Sequence, residues 1–133
     1  MIRTAGAVLA GARAALRTPR WLGGERLGTL LQPPEGARPD AVAARGAVRS
    51  ALFLVRLLAR LPGSPWRDTC LYRSVAECLV LRRYGVPALV RIGVRNESPP
   101  HGPIVAHAWV VRAGCEAPAA PGLDALEPLR ARA

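Results

Sequence analysis

Asp68-Thr69-Cys70-Leu71-Tyr72-Arg73-Ser74-Val75-Ala76-Glu77-Cys78-Leu79-Val80-Leu81-Arg82-Arg83-Tyr84-Gly85-Val86-Pro87 is the stretch on which the reading of this chain turns. Leu71, Val75, Cys78, Leu79 and Arg82 recur near one face at helical spacing, which predicts a helix over 68–84. Asp68 or Thr69 can cap its start, and Gly85 and Pro87 end it. Cys70 thus falls in the first turn, where unpaired backbone N–H groups and the positive end of the helix dipole favour a thiolate.

After this helix, 88–95 alternates with Val90, Ile92 and Val94 on one face, the proline-rich 96–103 reads as a loop, and 104–112 is a second strand. An antiparallel pair follows. On the second strand His107 shares a face with Val105, Trp109 and Val111, a set apolar enough to be expected against the Cys70 helix. Cys70 and His107 lie 37 residues apart (107 − 70). A thiol at a helix start and an imidazole on a facing strand form a nucleophile and its general base, the machinery of cysteine-dependent acyl chemistry.

Outward from this core, Met1 to Gln32 reads as helical with a break at Thr18-Pro19, followed by a short amphipathic piece from Trp21 to Leu31. Pro33-Pro34-Glu35-Gly36-Ala37-Arg38-Pro39 interrupts the chain, and Asp40 can cap the next helix. There Val48, Leu52, Val55 and Leu58 form the apolar stripe and Arg45, Arg49, Arg56 and Arg60 face water, until Pro62-Gly63-Ser64-Pro65 stops it. The expected organisation is one domain over 1–133, with a helical part at 1–62 and a catalytic helix and sheet at 66–133.

With 133 residues, half of them hydrophobic, the chain can bury one core. Aromatics make up only 5%, so Leu, Val and Ala must pack closely, with Trp66 and Trp109 as the large anchors. The net charge is +10 and every basic side chain is arginine. Those arginines are scattered and no aromatic stacking stripe accompanies them, which argues against nucleic-acid binding and leaves an acidic peptide as the favoured partner. Three cysteines without a CxxC, and no histidine at zinc-finger spacing, argue against a disulfide framework and a metal site, and point to a reducing cytoplasm. Arg13 and Arg17 interrupt the weak apolar stretch at the start, so it reads as a helix and not a secretory signal. No stretch approaches the roughly 20 apolar residues of a membrane span.

Other chemistry-bearing residues have plainer readings. Cys78 lies on the apolar helix face, Cys115 follows Gly114 in a turn, and His101 sits between Pro100 and Gly102 in a loop. Glu77 one turn beyond Arg73 suggests an ion pair on the helix surface.

Cys70-Leu71-Tyr72-Arg73-Ser74, Leu81-Arg82-Arg83-Tyr84-Gly85-Val86-Pro87-Ala88, Ile92-Gly93-Val94 and Ala106-His107-Ala108-Trp109-Val110 together resemble, in order and spacing, the transglutaminase-like leader peptidases of lasso-peptide biosynthesis. The resemblance is strong over 66–112 and covers the helical half in outline. It implies an α+β, papain/transglutaminase-like fold and a cysteine peptidase that removes the leader from a ribosomally made precursor. Cys70 would be the nucleophile and His107 the base, with neither cofactor nor metal. The implied partners are the precursor peptide, a separate leader-binding protein, and an ATP-dependent, asparagine-synthetase-like cyclase that closes the ring on the new amino terminus.

Two positions depart from that family's pattern: Val111 stands where a Glu follows the His-Ala-Trp-Val run, and Ala119 where an Asp orients the imidazole. Glu116, Asp124 and Glu127 are the remaining candidates for the acid, although Pro118 and Pro121 argue against a regular third strand to carry them. Acyl transfer to an amine and a non-catalytic scaffold for peptide maturation are the alternative readings.

Overall fold

The computed structural model describes residues 2–23, 25–32, 41–96, 104–112 and 127–128. In chain order they form α1 (Ile2–Trp21), α2 (Glu25–Leu30), α3 (Ala41–Ala59), α4 (Cys70–Arg83), β1 (Ala88–Asn96), β2 (Ile104–Arg112) and β3 (Glu127–Pro128). Helices come first and a small antiparallel sheet last, the α+β arrangement read from the sequence. The expected cap of α3, Asp40, lies outside the described residues.

Small side chains let α1 and α3 run side by side in the same direction, with Ala7 beside Gly46 and Gly11 beside Ala47, Ser50 and Ala51. A methyl at Gly11 would stand 2.8 Å from the Ser50 Cβ and 2.9 Å from the Ala51 nitrogen, so only glycine permits this approach. Ala10, Ala14, Ala15, Ala47, Ala51 and Val55 fill the interface together with Ala76 and Val80 of α4. On its other flank α4 packs Val75, Cys78 and Leu81 against Ala88 and Val90 of β1 and Ala108 of β2. α4 is therefore the middle layer, between the α1–α3 pair and the sheet.

The break expected at Thr18-Pro19 does not occur, and α1 continues through Pro19 to Trp21. Proline removes the N–H that would bond the carbonyl four residues back, here that of Ala15. The Trp66 indole N–H donates to that carbonyl at 2.8 Å, so the helix loses a main-chain donor and gains a side-chain one. Thr18, fully buried, donates its hydroxyl to the Ala14 carbonyl at 2.9 Å and leaves no orphan beside the proline.

Both ends of α4 are closed by local chemistry. Thr69 is the N-cap, in extended conformation, and its hydroxyl accepts from the Tyr72 N–H at 3.4 Å. At the other end Gly85 adopts φ +70°, its N–H reaches the Arg82 carbonyl, and the Val86 N–H reaches that of Leu81 at 2.9 Å. This double bond pattern around a left-handed glycine is the Schellman closure.

In the sheet, β1 lies between β2 and β3. Ala88 to Asn96 pairs antiparallel with Arg112 to Ile104, which puts Gly93 opposite His107 and Ile92 opposite Ala108. A third strand does form despite the upstream prolines: β3 pairs with β1, Glu127 opposite Val94 and Pro128 opposite Gly93.

The pairing of Trp66 with Pro19 makes a coupled prediction. Trp66→Phe keeps the ring's packing but orphans the Ala15 carbonyl, and should lower stability by about 1–3 kcal/mol in urea denaturation. In a Pro19→Ala background the restored main-chain N–H should shrink that loss, a coupling that a double-mutant cycle measures.

Candidate active site

The first turn of α4 carries Cys70 as a free, half-buried thiol. Its approach is braced by side chains: the Tyr72 hydroxyl donates to the Pro65 carbonyl at 2.7 Å, and Arg67 donates to that of Ser64 at 2.8 Å. Asp68, the other expected cap, instead takes Arg73 at 3.5 Å and Arg56 at 4.0 Å. The expected Arg73–Glu77 pair is therefore replaced, since Glu77 reaches across to Arg112 of β2 at 3.0 Å. A partner on a neighbouring element outcompetes the one on the same helix.

One turn beyond Cys70, the buried hydroxyl of Ser74 donates to the Ala108 carbonyl at 3.0 Å. Residues four apart on a helix share a face, with Cβ atoms about 5–6 Å apart. The bond therefore places the Cys70 turn beside β2 at the residue next to His107. His107 is half-buried and its ring stacks with Trp109, centroids 6.2 Å apart and planes 16° apart. Such a stack restricts the orientation of the imidazole ring.

Which face of β2 meets α4 differs from the sequence expectation. Ala108 and Val110 enter the core with α4, so by strand alternation His107, Trp109 and Val111 belong to the other face. The reason is size: Ala108 admits the close approach that lets Ser74 reach its backbone, whereas tryptophan there would not. β2 is the outer strand of its sheet, and the route from imidazole to thiol runs round that edge. The described hydrogen bonds of this end of α4 come from Tyr72, Arg73 and Ser74, and none joins Cys70 to His107.

Glu116 and Asp124, the candidate acids, lie outside the described residues, as do Cys115 and His101. Glu127 sits in β3, two strands from His107, a backbone separation of about 10 Å. Among the described residues no three His, Cys, Asp or Glu side chains cluster as a metal site.

Cys78 is buried, and its thiol donates to the Ala88 carbonyl at 3.5 Å. Burial pushes its pKa up to about 11, against the downward pull of the Arg82 charge. Two turns along one helix separate an accessible thiol from an inert one.

Arg82 is the fastening residue that periodicity alone did not reveal. Its guanidinium donates to the carbonyls of Ala88 at 2.8 Å and Thr29 at 2.9 Å, and also to those of Leu30 and Gln32, tying α4 to β1 and the end of α2. Ser74 was equally hidden, although a serine on an otherwise apolar helix face is itself the signal that a buried acceptor waits opposite.

Two outcomes check this geometry. Iodoacetamide near pH 8 should label Cys70 and spare Cys78 in the folded protein, with both labelled after denaturation, as read by peptide mass mapping. Ser74→Ala should cost about 1–3 kcal/mol in chemical denaturation, because the Ala108 carbonyl loses its buried donor.

Comparison with known proteins bears on this site. The model of one family, described as the transglutaminase-like superfamily, matches residues 7–129, which includes α3, α4, β1, β2 and both Cys70 and His107. No curated protein and no solved structure matches the chain. Members of that superfamily are usually cysteine-dependent proteases or acyltransferases, in keeping with a thiol at a capped helix start. With nearly its whole length matched, the chain belongs to the transglutaminase-like superfamily.

Proposed function

We propose that this protein is a cysteine peptidase that removes the leader from a ribosomally made lasso-peptide precursor. One observation carries the reading: Cys70 occupies the capped first turn of a helix whose next turn is bonded, through Ser74, to the residue beside His107. His107 takes the thiol proton, and the Cys70 sulfur attacks the scissile carbonyl carbon. A C–S bond forms as the C–N bond breaks, and the proton passes from the imidazole to the leaving amine. The main-chain N–H of Cys70 is the first donor to the transient oxyanion. Water, deprotonated by the imidazole, then cleaves the thioester, leaving a carboxylate on the leader and a free thiol on the enzyme.

Catalytic hydrogen bonds often tighten only when substrate is bound, and in this reading the imidazole must reach the thiol round the edge of β2. The net charge of +10 favours an acidic peptide. A separate leader-binding protein delivers the precursor, and an ATP-dependent, asparagine-synthetase-like cyclase consumes the freed amine. All three partners act in the cytoplasm. Family membership also favours a second reading, in which an amine and not water resolves the same thioester.

The test mixes this protein with precursor and leader-binding protein and follows leader release by mass spectrometry. Cys70→Ala and His107→Ala should each slow release by at least ~10³-fold. Equal release by wild type and both variants would overturn the peptidase reading. Maturation that needs the protein but not its thiol would identify a scaffold, and product masses separate hydrolysis from acyl transfer.

A further inference from the structure

On α1 and α3 the usual distribution of apolar side chains is inverted. Alanine and glycine face inward, while Val8, Leu9 and Leu16 of α1 and Phe53, Leu57 and Leu61 on and just past α3 face out, between 45% and 65% exposed. At 3.6 residues per turn, Leu9 and Leu16 lie away from the α1 flank whose Ala10 and Ala14 meet Leu79 of α4. Phe53, Leu57 and Leu61, four apart, lie likewise on the side of α3 turned from Val48 and Val55, which pack toward α4. Val8, about 60° round α1 from the Gly11 that touches α3, stands beside the Phe53–Leu57 stripe, and Leu16 and Leu9 continue the apolar surface over the shoulder of α1 turned from α3.

Charge frames that surface. Arg20 borders it on α1, Arg56 on α3 and Arg60 just past α3, all exposed, and neither helix contains an aspartate or glutamate. Asp68, beyond α3, is already held by Arg73 and Arg56. A second copy of this chain would bring an equal positive field against the first, so self-association is disfavoured. A partner helix needs a groove, and the Gly11 contact draws α1 and α3 too close to leave one. Small residues between helices and large apolar ones outside is the arrangement helices adopt against lipid, where burial offers no drive to turn the large side chains inward.

We propose that the outer face of α1 and α3 docks on an anionic lipid surface, its apolar side chains at the acyl boundary and its arginines on headgroup phosphates. None of the described helices is long and apolar enough to cross a membrane, so the pair lies in the plane of the interface. The inference does not depend on the peptidase reading.

Co-sedimentation with vesicles tests it at ~0.1 M salt, where exposed charges still act over about 10 Å. Wild type should bind phosphatidylcholine–phosphatidylglycerol vesicles at least ~10-fold more tightly than phosphatidylcholine alone. Phe53→Ser with Leu57→Ser, and separately Leu9→Ser with Leu16→Ser, should each weaken binding by at least ~10-fold. Both pairs are exposed, so circular-dichroism melting should stay that of the wild type; if one pair unfolds, the other decides. Wild type remaining in the supernatant with anionic vesicles, undiminished binding by both apolar variants, or equal binding to neutral vesicles would overturn the proposal. So would a dimer in sedimentation velocity that Phe53→Ser abolishes, since a second copy would then cover the face.

Discussion

The buried hydrogen bond from Ser74 to the Ala108 carbonyl is the constraint on which the geometry of this molecule depends. It joins the middle layer to the outer strand of the sheet one turn from the thiol, and it can form only because position 108 carries a methyl. A buried hydroxyl without a partner costs about 1–3 kcal/mol, more than the bond's net contribution, so helix and strand are fixed at this separation and not merely attracted. At the far end of α4, Arg82 fastens the helix to four carbonyls drawn from Ala88 and from Thr29 to Gln32. A lysine could not do this, because a single ammonium cannot spread its donors across two elements in a planar fork. Held at both ends, α4 carries Cys70 as a fixed point.

How much of this was legible in the sequence depends on the range of the interaction involved. The periodicity of 68–84 and the alternation of 88–96 and 104–112 are local, and they yielded α4 with Thr69 among its expected caps, and the β1–β2 pair. Pro19 was misread because its remedy is the indole of Trp66, far along the chain. The face of β2 is ambiguous for a different reason: both alternating sets are apolar, and the larger set, with Trp109, is the one that hydropathy favours for the core. Close packing selected the smaller one. Arg73 and Glu77 satisfy the spacing rule for a helix pair, yet Arg73 takes Asp68 just before the helix and Glu77 takes Arg112 of β2, partners the rule cannot see. The acid that would orient His107 was the least legible part, since Glu116 and Asp124 lie on a stretch without periodicity.

Size selection recurs throughout the fold. Ala108 admits Ser74, Gly11 admits the α3 backbone, and Ala76 lets α4 press on the α1–α3 pair. A core assembled from such small groups brings backbones close, and it leaves the larger apolar residues of α1 and α3 without inward positions. Compactness inside and greasiness outside have one cause here. It also accounts for the low aromatic content, because the two tryptophans that organise the site and its approach serve as hydrogen-bond donor and stacking partner more than as core filler.

The layer order gives that outward face a further meaning. α1 and α3 form one outer layer, α4 the middle, and His107 belongs to the sheet face turned away from α4. A surface that engaged the α1–α3 face would therefore stand on the opposite side of the molecule from the imidazole. Peptide arriving from solution would still reach the edge of β2, round which the imidazole would have to meet the thiol. Engagement of the α1–α3 face would require no rearrangement of α4, and the two fastenings at Ser74 and Arg82 resist any. An interface placed on the His107 side would instead have to compete with substrate for the same strand edge.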